Sequence, residues 1–361
     1  MAQDQRFMAL ALPLGRRGMG RVWPNPAVGC VITRGNRIVG RGWTAQGGRP
    51  HAETRALDQA GTAARGATAY VTLEPCAHSG QTPPCAAALI AAGIARVVVS
   101  LTDPDPRVAG QGVARLRAAG IDVVEGFGKD EAARDHAGFL SRINTGRPLV
   151  TLKLATTLDG RIATASGESQ WITGPLARHA VHAMRLTHDA VMIGGGTARA
   201  DDPTLTVRQM GPVPQPVRIV ASASLDIPID GRLIQTLDQA PLWLLHGDTG
   251  DSAAWASTAA RLFPVTMDRN GRLDPAAMLQ SLGQAGLTRI LCEGGGALAA
   301  ALLKAGLVDR IALFTAGKAI GAEGLPSLGS LGLAALADAP RFTLENTRQL
   351  GNDTLSHWTS A

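Results

Sequence analysis

Apolar positions recur at helical spacing over residues 4–18, where Phe7, Leu10, Ala11 and Leu14 share one side of a predicted helix that stops at a glycine. Val28–Thr33 and Arg37–Gly42 read as a strand pair turned by Arg34-Gly35-Asn36. Pro50 stands where a first helical turn would be, so His51 through Ala60 reads as a helix with His51 and Glu53 at its start. Ala67–Leu73 reads as a strand, and Thr82–Ala92 leads into a helix that ends at Gly93. Arg96–Leu101 follows as a strand, Gly110–Ala119 as a helix and Ile121–Val124 as a strand. Glu131–Asn144 closes this part as a helix, and Thr145-Gly146-Arg147-Pro148 interrupts the pattern. A domain boundary is expected there, with domains over 1–146 and 147–361. The second half restarts with the apolar strand Leu149–Leu154. It continues through strands near Ala190–Ile193, Arg218–Ala221, Leu242–Leu245, Arg289–Cys292 and Arg310–Phe314, with helices between several of them. Alternating strands and helices predict an α/β layer structure in both halves.

Length agrees with two domains: 361 residues exceed one ordinary core. Hydrophobic residues are 45% of the chain but aromatics only 4%, so Leu, Val, Ile and Ala carry the packing. The net charge of +6 is spread along the chain, which suits small anionic substrates better than a nucleic-acid stripe. Four cysteines (Cys30, Cys76, Cys85, Cys292) are too few and scattered for a disulfide framework. The N-terminus lacks a basic stretch before its short apolar run, and no apolar run reaches the roughly 20 residues that span a membrane. No membrane association and a cytoplasmic, reducing location are therefore expected.

The sharpest chemical signal is His51-Ala52-Glu53, Glu74-Pro75-Cys76 and Cys85. One imidazole and two thiolates give a zinc ion three protein ligands and leave a fourth position for water. Zinc deaminases carry this set of residue types, with the Glu as acid/base and not as a ligand. His51, Cys76 and Cys85 are the expected ligands of Zn2+. Glu53 is the expected catalytic residue, moving protons at water whose pKa the metal lowers to about 7. The competing reading is a structural zinc site, which normally has four protein ligands; His78, between the two cysteines, is the nearest candidate for a fourth. Cys30 reads as a small buried strand residue. Asn25, in the rigid turn Pro24-Asn25-Pro26, has an amide able to read a pyrimidine's polar edge, or to serve only as a turn former.

In the second half, two glycine triplets each follow a strand, within Ile193–Thr197 and Glu293–Gly296, and the second opens a probable helix Ala297–Ala305. Glycines let a backbone approach a phosphate, and free N–H groups at a helix start attract its charge. Neither is the GxGxxG fingerprint. His179, His182 and His188 lack a partnering carboxylate pattern and read as ordinary helix residues.

With PNPAVGC, PHAE, AYVTLEPC, TPPC and DPDP in the first half, and KLATTLDGRIA, GESQWITG, ADDPTLTVR and CEGGGALAAALL in the second, the chain resembles the riboflavin-biosynthesis deaminase–reductase family along essentially its whole length. The resemblance implies a cytidine-deaminase-like α/β/α domain followed by a dihydrofolate-reductase-like α/β domain. The first would deaminate a diaminopyrimidinone bearing phosphoribosylamine, and the second would reduce the ribosyl group to ribityl with NADPH. Carried over by position, Ala155, Trp171, Thr197, Asp201, Gly295, Gly296, Ala297, Leu298, Ala299, Ala300 and Ala301 would contact the cofactor. Ser169, Arg185, Leu205, Arg208 and Glu293 would contact the substrate, with Arg185 and Arg208 able to hold its phosphate through bidentate bonds, although a solvated arginine is the commoner fate. Asp201 is the best candidate to orient the sugar, and no residue is assigned as the reductase's proton donor. A homodimer or larger assembly is implied as well. Three departures stand out: Trp23 where His is common before PNP, Gln81 where Lys or Arg usually precedes TPPC, and Ala223 where a Ser would contact the cofactor. A nucleic-acid base deaminase would need a basic stripe interleaved with aromatics, which one Tyr, six Phe and six Trp do not supply. A non-catalytic zinc protein would have no use for Glu53.

Overall fold

The computed structural model describes residues 2–77, 83–105, 109–248 and 250–361. The chain divides into two compact units, Met1–Gly146 and Arg147–Ala361.

Unit 1 runs α1 (Ala2–Arg16), β1 (Gly29–Arg34), β2 (Arg37–Trp43), α2 (Ala52–Ala60), β3 (Thr68–Val71), α3 (Cys85–Ala91), β4 (Arg96–Val99), α4 (Gln111–Ala118), β5 (Asp122–Glu125) and α5 (Lys129–Thr145). Its strands lie in the order β2-β1-β3-β4-β5. β1 is antiparallel to both neighbours, and β3, β4 and β5 are parallel. One side of α1 buries Phe7, Met8, Ala11 and Leu12 against Val31, Tyr70 and Val98. On the other face Cys30, Ile32, Ala52, Ala56, Val71, Leu89 and Val97 form a second core layer. Helix α2 lies directly on strand backbone. A Cβ at Gly40 would stand 2.1 Å from the Ala56 carbonyl oxygen, and one at Gly42 would stand 2.0 Å from that of Ala52. The glycine–alanine pairing therefore brings helix and sheet closer than larger side chains allow, and it seats the end of α2 that carries His51 and Glu53.

Two boundaries differ from the sequence reading. Helix α2 begins at Ala52, with His51 as its extended N-cap at φ −70° and ψ 163°. Pro50 thus precedes the cap instead of filling the first helical position. Helix α3 opens at Cys85, after the extended Pro84, and Pro83-Pro84 accounts for the late start. His78, Gln81 and Thr82 lie outside the described residues.

Unit 2 contains β6 (Leu149–Thr157), β7 (Arg161–Ala163), α6 (Pro175–Leu186), β8 (Ala190–Gly194), α7 (Gly195–Asp201), β9 (Val217–Ala221), α8 (Arg232–Gln235), β10 (Leu242–His246), β11 (Arg261–Pro264), α9 (Pro275–Gln284), β12 (Arg289–Cys292), α10 (Gly296–Lys304), β13 (Arg310–Ala316), β14 (Leu325–Pro326), β15 (Phe342–Leu350) and β16 (Asp353–Ser360). Its main sheet has the order β11-β10-β9-β8-β12-β6-β13-β16-β15. It is parallel from β11 to β13, and the antiparallel hairpin β16-β15 forms one edge. In parallel α/β sheets, ligands sit in the crevice at the strands' carboxyl ends. Here those ends carry Gly194 as the last residue of β8, Glu293 after β12 and the second half of β6. No described helix is long and apolar enough to cross a membrane.

Candidate active sites

The first site assembles where α2 and α3 begin. Helix α2 presents His51 from its cap and Glu53 from its first turn, and α3 presents Cys85 as its first residue. Cys76 comes from the loop after β3. His51 Nδ1 lies 3.2 Å from Cys85 Sγ and 3.7 Å from Cys76 Sγ. The candidate ligand atoms all fall within 4.8 Å of one another, and among the described residues no other group of three or more His, Cys, Asp or Glu could hold a metal ion. His179, His182 and His188 therefore form no second centre of that kind.

The Cys76 loop is held from both sides. The Cys85 backbone N–H donates to Cys76 Sγ (3.3 Å), and that of Ala86 donates to the Cys76 carbonyl (3.2 Å). Buried Glu74 accepts from the backbone N–H groups of Asp103, Gly110 and Val113 at 3.0–3.1 Å, so it caps the start of α4. A Cβ at Gly112 would stand 2.0 Å from the Pro75 carbonyl oxygen, which makes this close approach possible only for glycine.

Electrostatics follow from the same packing. The hydrogen bond from Cys85, together with His51, pulls the Cys76 thiol down to about 4. Sharing that hydrogen with Cys76, along with burial, drives the Cys85 thiol up. The bond to Cys76 raises His51. Burial pushes Glu53 up to about 7, against the opposing pull of His51. The trio thus already stabilises one thiolate. One neutral imidazole and two thiolates are a donor set suited to zinc with an open position. Glu53, only 3% exposed, borders the trio as a carboxyl able to gain or lose a proton near neutral pH. Asn25 packs on Gly48, three positions before His51, where a Cβ would meet its Nδ2 at 2.0 Å.

The second site centres on an ion cluster at the carboxyl ends of β6 and β12. Arg185 of α6 forms a two-pronged pair with Glu293, Nε–Oε1 2.6 Å and Nη2–Oε2 2.9 Å, and its Nη1 donates to the Thr206 carbonyl (2.9 Å). Burial raises the Glu293 carboxyl, but the Arg185 guanidinium outweighs it and holds Glu293 below its ordinary value. The Arg185 fork is thus paired inside the protein with Glu293, another of the residues expected to contact the substrate. Of the two arginines, Arg208 is the exposed one. Lys153, on β6, is not among the candidate site residues that the sequence motifs single out. Burial lowers its ammonium, while Glu293 and Asp201 favour the charged form and Arg185 opposes it. The available signal was a lysine inside the run Leu149–Ala155, whose only other polar residue is Thr151.

The glycine triplets meet across β8 and β12. The Gly194 N–H donates to the Gly294 carbonyl (2.9 Å), and the Gly295 N–H donates to Thr197 Oγ1 (2.9 Å). At the start of α10, Gly296, Ala297 and Leu298 offer the unpaired first-turn amides that suit a phosphate. Ala299 and Ala300 are buried against the sheet, so their methyl groups belong to the core. Leu205 likewise buries its side chain in the core, at φ 54°. Trp171 is 58% exposed beneath the Arg178 guanidinium (4.5 Å), in the loop that carries Ser169. Asp201 ends α7, while Asp202 accepts from the Arg232 N–H (2.7 Å). Ala155 lies on β6, two positions beyond Lys153.

Comparison with known proteins agrees with this division. Residues 148–356 match the RibD C-terminal domain, and residues 1–101 match the cytidine and deoxycytidylate deaminase zinc-binding region. The riboflavin biosynthesis protein RibD of Escherichia coli is 44% identical, over 99% of this chain and 100% of its own length. That of Aquifex aeolicus is 39% identical over 97% and 96%. Acinetobacter baumannii RibD superposes with a TM-score of 0.91 at 37% identity, covering 100% of this chain and 99% of its own. A Thermotoga maritima diaminohydroxyphosphoribosylaminopyrimidine deaminase/5-amino-6-(5-phosphoribosylamino)uracil reductase superposes at 0.87 with 31% identity, over 100% and 99%.

Proposed function

The chain belongs to the RibD family, bifunctional deaminase–reductases of riboflavin biosynthesis, and from that premise we propose which of its residues perform the two steps. The deaminase domain binds zinc and the reductase domain depends on NADPH. When bound, zinc acidifies water for attack on a ring carbon, and NADPH supplies hydride.

His51, Cys76 and Cys85 hold the metal. Glu53 takes the two protons of the attacking water in turn, passing the first to the ring nitrogen and the second to the departing amine, which leaves as ammonia. Asn25 reads the pyrimidine edge. The observation that carries this reading is the buried Glu53 carboxyl beside three converging His and Cys ligand atoms.

In the second step, Thr197 and the turn Gly295–Leu298 hold the cofactor's phosphates, with Ala155, Trp171 and Asp201 lining its course. Ser169, Arg208 and the Leu205 backbone bind the phosphorylated substrate. Glu293, fixed by Arg185, faces the sugar together with Lys153. The lowered Lys153 ammonium is the group placed to deliver a proton as the ring opens and hydride arrives. The substrate is a free phosphorylated pyrimidine and not a base within nucleic acid. A cytoplasmic location and self-association as a homodimer or larger complete the proposal.

The test supplies the zinc-loaded protein with the diaminopyrimidinone phosphate and follows ammonia and NADPH together. The proposal expects ammonia first and then equimolar NADPH oxidation. Absence of ammonia, or NADPH oxidation without prior deamination, overturns it.

A further inference from the structure

Residues Thr204–Arg208 carry two of the residues read as substrate contacts, yet none of the five belongs to a helix or strand. Side chains from elsewhere fix this segment. Arg185 and His182 stand three residues apart on α6 and therefore share one face of the helix. Arg185 Nη1 donates to the Thr206 carbonyl (2.9 Å), and His182 Nδ1 accepts the Arg208 backbone N–H (3.2 Å). On the opposite edge Gln215 brackets Val207, its Oε1 accepting the N–H (2.6 Å) and its Nε2 donating to the carbonyl (3.1 Å). Backbone groups of successive residues in an extended chain point to opposite edges. Thr206 and Arg208 thus face α6 while Val207 faces Gln215. Helix α6 and Gln215 act as the two strands this segment lacks.

We infer that His182 is a positioning residue of the reductase: by accepting the Arg208 amide, it sets where the Arg208 guanidinium meets the substrate's phosphate. The inference rests on the role proposed above for Arg208. A backbone N–H is only a donor, so Nδ1 must carry the lone pair and Nε2 the proton. A protonated ring would offer a donor at both nitrogens and break the contact. Burial, together with the guanidinium groups of Arg185 and Arg208 and against the pull of Glu293 and the Thr206 carbonyl, holds His182 down to about 4, so the accepting form persists at neutral pH.

The experiment assays NADPH oxidation with the already deaminated substrate, 5-amino-6-(5-phosphoribosylamino)uracil, and with its dephosphorylated counterpart. His182→Asn keeps an acceptor at the place of Nδ1, His182→Gln moves the amide to that of Nε2, and His182→Leu removes it. KM for the phosphorylated substrate is expected to rise about fivefold to tenfold in the Gln and Leu variants, the size of one hydrogen bond. Both kcat and the KM for NADPH should stay within about twofold of the parent. His182→Asn is expected to restore the parent KM, the dephosphorylated substrate to show no such rise, and His182→Leu to add nothing to Arg208→Ala. Should the Leu variant not fold, the Gln and Asn variants decide alone. An unchanged KM in His182→Gln, or a loss confined to kcat, overturns the inference. If Arg208→Ala raises KM while His182→Gln does not, only the role of His182 falls. If Arg208→Ala itself leaves KM unchanged, the reading of Arg208 falls with it.

Discussion

Replacing Gly42 by alanine adds one methyl group whose nearest neighbours are all backbone atoms of α2, yet it should disable the deaminase. The new Cβ would lie 2.0 Å from the Ala52 carbonyl oxygen, whereas ordinary contact begins at 3.4 Å, so α2 and β2 must separate by about 1.4 Å at that point. The contacted atom is backbone, in the first residue of α2, between His51 and Glu53; no side-chain rotation relieves it. Overpacking of this kind costs about 1–3 kcal/mol of stability, and displacing a catalytic constellation by about 1 Å costs on the order of 100-fold in rate. Gly40→Ala is the control, because its clash of 2.1 Å is with Ala56, one turn further along the helix. Both variants should lose similar stability, but Gly42→Ala should lose far more ammonia release and more zinc affinity. NADPH oxidation with deaminated substrate serves as the internal control, since that domain lies in the other compact unit. The reasoning is refuted if Gly42→Ala folds and releases ammonia at the parent rate with unchanged zinc content.

Three more outcomes follow from charges in the fold. Glu293→Gln leaves the Arg185 guanidinium buried without its carboxylate partner. Breaking such a pair costs about 3–5 kcal/mol, so the reductase domain should melt earlier and lose activity while ammonia release persists; an unchanged melting profile would contradict this. Lys153→Met should abolish NADPH oxidation without affecting ammonia release, as read by the two assays in parallel. The hydrogen bond from Arg96 holds the Asp4 carboxyl below its ordinary value of 3.8. Its contribution to stability is therefore full above the unfolded value and lost as pH falls through the folded one. In thermal melts from about pH 6 down to pH 3, the gap between the parent and Asp4→Asn should narrow toward the acid end.

How much of this was legible in the sequence differs between the two domains. The candidate deaminase centre draws on short segments whose spacing itself carries chemistry: a helix start bearing His51 and Glu53, and two cysteines nine residues apart that flank another helix start. The reductase centre does not concentrate its partners that way. Arg185 and Glu293 are separated by 108 positions, and only the register of β8, β12 and β6 brings them together, so an arginine that looked free proves to be internally paired. Lys153 was hidden by its strand, where an isolated lysine among apolar residues resembles a tolerated exception. The hairpin β15–β16 escaped for a different reason. Nearly all of β15 is exposed, so neither face shows the alternation that marks a half-buried strand; its order comes from pairing with β16 and not from burial.

The central claim is that Glu53 moves the protons of the first step without holding the metal. Glu53→Gln keeps the shape of the side chain and removes the carboxylate. The account predicts that ammonia release falls by about 100-fold to 10,000-fold, while bound zinc and NADPH oxidation with deaminated substrate stay at parent levels. Ammonia release at the parent rate, or loss of zinc along with activity, would contradict it.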